Sequence, residues 1–213
     1  MVVFDATMLL LLLRPNSGRP FDSDGAPIAQ VAERIAYLIQ RLDKARNRIV
    51  IPTPALSEVL VRAGSAAPQI VETLGRSALF KIMPFDSLAA IEAALMTRAA
   101  IDAGDKRGGL EATWAKVKFD RQIVTIAKVA RATEIYSDDN DVRTLATAED
   151  ITVIGLAELS TPPEKAQIEM QLEPPAQEIE STAREIELTA VEPPDDDVTD
   201  QDEKTEEPEP EAT

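Results

Sequence analysis

MVVFDATMLLLLLRP, residues 1–15, decides how the chain is read. Val2, Val3 and Phe4 are β-branched or aromatic and suit a buried strand over Met1–Phe4. Asp5 follows, and Thr7–Leu13 reads as a helix that Arg14-Pro15 closes. A fully apolar strand running into a helix through one acid is the opening of an α/β unit with a parallel sheet. The apolar run Met8–Leu13 is far too short to span a bilayer. No basic segment precedes it and no small-residue cleavage site follows, so a signal peptide is not expected.

The same alternation continues outward. Residues 15–27, rich in Pro, Gly, Asn and Ser, form a loop. Apolar residues from Ile28 to Leu42 fall at helical spacing, and a helix is predicted over Ile28–Lys44. Arg48–Ile51 is a second strand. Thr53 is predicted to cap a helix with Pro54 at its first position, running to Arg62. A short helix over Pro68–Gly75, a strand within Leu79–Phe85 and a helix from Asp86 or Ser87 to Ala103 follow. After the loop Gly104–Gly109 come a helix over Phe119–Arg131, a strand at Glu134–Ser137, a helix over Val142–Ala148 and a strand at Ile151–Ile154. The expected fold is α/β: a three-layer αβα sandwich around a mainly parallel sheet of about five strands. Working sites in such folds lie at the carboxyl ends of the strands.

Two absences narrow the chemistry. The 213 residues include neither His nor Cys. That excludes Ser-His-Asp and Cys-His catalysis, imidazole bases and zinc sites of the usual ligands. It also excludes disulfides, and a cytoplasmic address is expected. The formal charge of −16 is concentrated at one end: residues 161–213 hold 18 acids and 3 bases, leaving the first 160 nearly neutral. That segment has eight Pro, no Gly, no aromatic residue and only seven Leu, Ile or Val. It cannot bury a core. The chain therefore divides into a domain over 1–159 and an acidic Pro/Glu-rich tail over 160–213, expected to be disordered apart from transient helices at 164–172 and 176–191. Its charge density suits it to compete for a basic surface, to recruit a basic partner or to aid solubility.

The acids stand where strands end. Asp5 follows the first strand, and Ser137-Asp138-Asp139-Asn140-Asp141 follows the fourth. If both strands are central and parallel, these carboxylates converge. Clustered carboxylates repel one another, and a hard cation relieves the repulsion. Mg²⁺ and Mn²⁺ prefer such oxygen ligands and can activate water toward a phosphodiester. Asp after a strand is also a common turn former or helix cap. An EF-hand is excluded for Asp138–Asp141, because Val142 and Arg143 stand where a ligand and Gly are required.

Four stretches, FDATMLL at 4–10, PTPALSEVL at 52–60, FDRQIVTIA at 119–127 and YSDDNDVRTL at 136–145, occur in the order and near the spacing found in PIN domains. Over residues 1–158 the chain resembles that family, which is related to flap endonucleases and includes VapC-type toxins of bacterial toxin–antitoxin pairs. The resemblance implies a Mg²⁺- or Mn²⁺-dependent ribonuclease. Position by position it makes Asp5, Glu58, Asp120 and Asp139 the catalytic and metal-binding acids, with Asp141 a further metal ligand. Thr7 and Ser137 take the family's polar positions near substrate. Val142 departs from the common Phe. By residue chemistry alone, Glu58 with Arg62 reads as a surface i,i+4 pair and Asp120 as a helix cap.

Lys106, Arg107, Lys116, Lys118 and Arg121 cluster around Asp120, and Lys118 and Arg121 are the expected phosphate contacts. Trp114 lies among them, suited to base stacking or to simple packing. Arg14 and Arg19 flank the first loop. The expected partners are RNA as substrate, a small antitoxin protein and a second copy of the chain, with no membrane. The alternative is a PIN fold without catalysis, docking RNA or protein.

Overall fold

Five short strands join in one all-parallel sheet whose central members are buried on both faces and whose edge strands are only partly covered. In the computed structural model, which describes residues 1–14, 20–22 and 24–163, the order is β1 (Val2–Phe4), α1 (Ala6–Leu13), α2 (Val31–Lys44), β2 (Ile49–Pro52), α3 (Thr53–Ala63), α4 (Ala67–Arg76), β3 (Phe80–Met83), α5 (Ser87–Asp102), α6 (Trp114–Val129), β4 (Glu134–Tyr136), α7 (Asn140–Thr147) and β5 (Thr152–Ile154). The sheet order is β3-β2-β1-β4-β5, and every pairing is parallel. The α/β class and the five-stranded sheet are therefore as the sequence predicts. Residues 164–213 of the acidic tail, with the transient helices expected there, and Arg19 lie outside the described residues.

Alternating side chains divide the interior. Val3, Val50, Ile135 and Val153 join a cluster with residues of α3, α4, α6 and α7. Val2, Phe4, Ile49 and Tyr136 join Ile35, Leu38, Ile39 and Leu42 of α2 on the other side. This is the period-two signature of strands. Helix α1 serves both clusters, giving Leu9 to the first and Met8 and Leu11 to the second.

Helix starts differ from those predicted by one residue at α1 and α4 and by two at α7, which begins at Asn140; three further differences have a local cause. Helix α2 begins at Val31, since Gln30 adopts a left-handed conformation (φ 56°) that helix geometry cannot include. Thr53 does not cap α3; its hydroxyl accepts the Phe85 N–H at 3.1 Å and ties α3 to the exit of β3. Helix α6 begins at Trp114, five residues earlier than predicted, because the Thr113 hydroxyl accepts the Lys116 N–H at 3.3 Å and caps it. Asp120 is therefore inside α6 and caps nothing. Asp86 caps α5, accepting the Ala89 N–H at 3.0 Å. No helix among the described residues is long and apolar enough to cross a membrane.

The sheet centre carries the fold's stability. Ile135 is fully buried in β4 between β1 and β5. Ile135→Ala should lower the unfolding free energy by about 2–5 kcal/mol in urea titration, as for other large-to-small core changes.

Candidate metal centre

The chain reverses its direction of travel across the sheet between β1 and β4. From β1 it steps outward through β2 to β3, then returns to the opposite side of β1. Loops leaving the carboxyl ends of β1 and β4 diverge, and the crevice between them is where open α/β sheets bind ligands. Pairing of Phe4 with Tyr136 sets Asp5 opposite Ser137.

Asp5 is 5% exposed. One carboxylate oxygen accepts the Met8 N–H at 2.8 Å, capping α1. The other accepts a short hydrogen bond from the Ser137 hydroxyl. Ser137 is fully buried and its hydroxyl also accepts the Asp139 N–H at 3.1 Å. One hydroxyl thus fixes an acid of one loop to the backbone of the other. Burial pushes the Asp5 carboxyl up to about 7; the Met8 and Ser137 hydrogen bonds oppose this and the charges of Asp138 and Asp139 add to it.

Beside this pair, Asp120, Asp139 and Asp141 bring one carboxylate oxygen each within 4.8 Å of one another. Asp139 caps α7 through one oxygen, which accepts the Asp141 N–H at 2.8 Å, and turns the other into the cluster. Asp120 is 5% exposed, and burial raises its pKa, with Lys116 opposing. The sequence places Lys116 in the basic cluster around Asp120. Its ammonium lies at 2.7–2.8 Å from Asp120, Asp139 and Asp141 together. Partial burial works to lower the Lys116 pKa, but those three hydrogen bonds outweigh it and hold the group above the usual lysine range. The i,i+4 relation with Asp120 was legible once α6 is known to begin at Trp114; convergence with Asp139 and Asp141 was not.

The other expected site residues are placed as follows. Glu58, on α3, pairs with Arg62 at 3.0 Å on an exposed face, and the three-acid group does not include it. Thr7 is exposed on the first turn of α1, two residues from Asp5. Lys118 is exposed, with its ammonium 5.7 Å from the Trp114 ring centre. Arg121 departs from the surface role expected of it: it is 2% exposed, packed against Trp114 and bonded to the Thr97 hydroxyl at 3.2 Å. Asp138 is outside the three-acid group and accepts the Leu156 N–H at 2.7 Å. Gly155 makes room for it, since a Cβ there would stand 2.8 Å from that carboxylate.

The donor set fits a hard cation. It is all oxygen, and an octahedron with bonds of about 2.1 Å spaces its ligands roughly 3 to 4.2 Å apart, close to what the cluster already holds.

No family model matches the sequence, and no curated protein matches it. Among solved structures, a chain of VapBC2 from Rickettsia felis bound to a DNA fragment from their promoter is similar, with a TM-score of 0.50 and 10% identity over 73% of this chain and 98% of that one. A chain of DNA-bound VapBC from Salmonella typhimurium shows a TM-score of 0.44 at 15% identity over 73% and 97%. The chain has a PIN/VapC-like α/β fold.

Two outcomes follow from this geometry. Asp5 and Asp120 both bind protons more tightly folded than unfolded, so the stability they contribute is full below about pH 4; the share of Asp5 is lost as pH rises through about 7, and that of Asp120 as pH rises above the ordinary carboxylate range. In chelator, Asp5→Asn keeps the cap acceptor and should melt roughly 5 °C or more above the parent at pH 8. The gap should close near pH 4.5, and a gap independent of pH would contradict the burial of an ionisable group. Lys116→Ala should enlarge the rise in melting temperature that Mn²⁺ produces, because a competing cation is removed. An unchanged Mn²⁺ response would place the ion elsewhere.

Proposed function

We propose that the chain is a metal-dependent endoribonuclease of the VapC-like kind, hydrolysing RNA phosphodiester bonds at the carboxyl edge of β1 and β4. The observation that carries this reading is the convergence of Asp120, Asp139 and Asp141 within 4.8 Å beside the buried Asp5–Ser137 pair. Mg²⁺ or Mn²⁺ held there supplies Lewis-acid stabilisation of the phosphate and activated water at neutral pH.

The chain's own residues do the positioning. Ser137 clamps Asp5, and the N–H groups of Met8 and Asp141 orient the carboxylates of Asp5 and Asp139. Ligands held this way need little reorganisation to engage a cation. Glu58 completes the proposed set: an exposed i,i+4 pair is worth little, so its carboxylate is easily released from Arg62. Thr7 is proposed to meet the substrate beside the acids, and Lys118, on the far side of α6, to meet only a longer RNA that passes around that helix. Cleavage leaves a 5′-phosphate and a 3′-hydroxyl. Partners proposed on the same likeness are a small antitoxin protein and a second copy of the chain.

A non-catalytic docking role draws on Lys116, which bridges the three acids and offsets part of their charge without a metal. Purified protein and a labelled single-stranded RNA separate the readings. Mn²⁺ should support cleavage and EDTA abolish it. Asp5→Asn, Glu58→Gln, Asp120→Asn and Asp139→Asn should each reduce the rate about a hundredfold or more. Asp141→Asn should be milder and Asp138→Asn close to the parent. Cleavage that survives EDTA, or that is lost in none of these variants, would reject the metal mechanism.

A further inference from the structure

Helix α6 carries two unlike faces. Lys116 and Asp120 point to the acids, and Trp114, Lys118 and Arg121 lie nearly opposite around the helix. On that second side a groove of about 450 Å³ opens between α5 and α6, walled by Ala93, Ala94, Thr97 and Ile101 of α5 and by Trp114 and Arg121 of α6. The small alanines leave the space. No carboxylate lines it.

Arg121 is the unexplained feature. It is buried, and burial lowers its pKa, with the charge of Asp105 opposing. Among the described residues no carboxylate pairs with it, and its Nε has no hydrogen-bond partner. Lys106, Lys118 and Arg121 all lie 5.3–5.7 Å from the Trp114 ring centre. A buried cation without a counter-charge is costly, and a carboxylate seated beside it would relieve that cost. The apolar walls ask for aliphatic side chains next to the carboxylate. Of the groove's lining residues Phe85 and Trp114 are aromatic, two rings rather than the longer succession on which a single-stranded nucleic acid would stack.

The chain itself contains such a ligand. Residues 184–192 read Arg-Glu-Ile-Glu-Leu-Thr-Ala-Val-Glu, aliphatic residues interleaved with acids. Reach favours this stretch over the similar one just after Pro163. Residues 156–159 pack on the α2 side of the sheet, opposite to α5 and α6. A domain of this size has a radius of gyration of about 15 Å, so the path round it is roughly 60 Å. The 21 residues from 164 to 184 span at most about 70 Å.

We propose that residues 184–192 dock in the α5–α6 groove, their aliphatic side chains against the alanine wall and a Glu185 or Glu187 carboxylate against Arg121.

Trp114 is the chain's one tryptophan, so its fluorescence reports on this groove alone. The test uses full-length protein at constant ionic strength with iodide as quencher, which the nearby lysines attract. It compares the parent with a variant carrying Glu185→Lys, Ile186→Ser, Glu187→Lys and Leu188→Ser, all outside the described residues. Tethering gives an effective concentration of about 1 mM, so a groove affinity near that value keeps half or more of the sites filled and losing it should raise quenching about twofold. A synthetic 184–192 peptide added to the variant should restore protection, and a scrambled peptide of equal charge should not. Equal quenching of parent and variant would overturn the proposal, as would equal protection by the scrambled peptide. Protection of the variant by an RNA oligomer but not by the peptide would also overturn it and assign the groove to nucleic acid.

Discussion

The parallel pairing of β1 with β4 is the constraint on which the rest depends. Three residue pairs, Val2 with Glu134, Val3 with Ile135 and Phe4 with Tyr136, fix the relative height of the two loops. A slip by one residue would invert every side chain and separate Asp5 from Ser137. The Phe4 and Tyr136 rings meet edge to face at 5.3 Å just below the site, so core packing and loop position are set by the same residues. The charged groups are thus consequences of an apolar register.

That register also explains how acids can be gathered at tolerable cost. Asp5 and Asp139 each spend one oxygen on capping a helix; Asp139 turns the other into the crevice, and Asp5 turns its other onto the Ser137 hydroxyl. The caps contribute about 1 kcal/mol each, offsetting part of the repulsion and burial they accompany. Lys116 offsets more by touching three carboxylates at once. The reading of Asp as either cap or metal ligand is a false opposition here, because a carboxylate has two oxygens and two directions to use them.

Much of the fold was legible because strands buried on both faces leave continuous apolar runs, and MVVF, RIVI and EIYS stand out. Strand ends and helix order followed, and with them the edge at which Asp5 and Asp139 meet. Helix starts were less legible. A left-handed Gln30 has no sequence signature of its own, and the polar run before Phe119 hid the first turn of α6, where Val117 is the fully buried apolar residue. The inward turn of Arg121 was hidden for a related reason. An arginine between Asp120 and Gln122 looks solvated until α5, with its alanines, is known to leave space on that side.

Because Asp120 and Trp114 ride on one rigid helix, the two sides of α6 cannot move independently. Side-chain groups stand about 5 Å from a helix axis, so a roll of α6 by about 10° carries them roughly 1 Å, in opposite senses on opposite sides. A displacement of that size at a reacting centre can cost about a hundredfold in rate. Whatever wedges between α5 and α6 therefore holds a lever on the acids: the helix that builds the crevice is also an axle through the wall behind it.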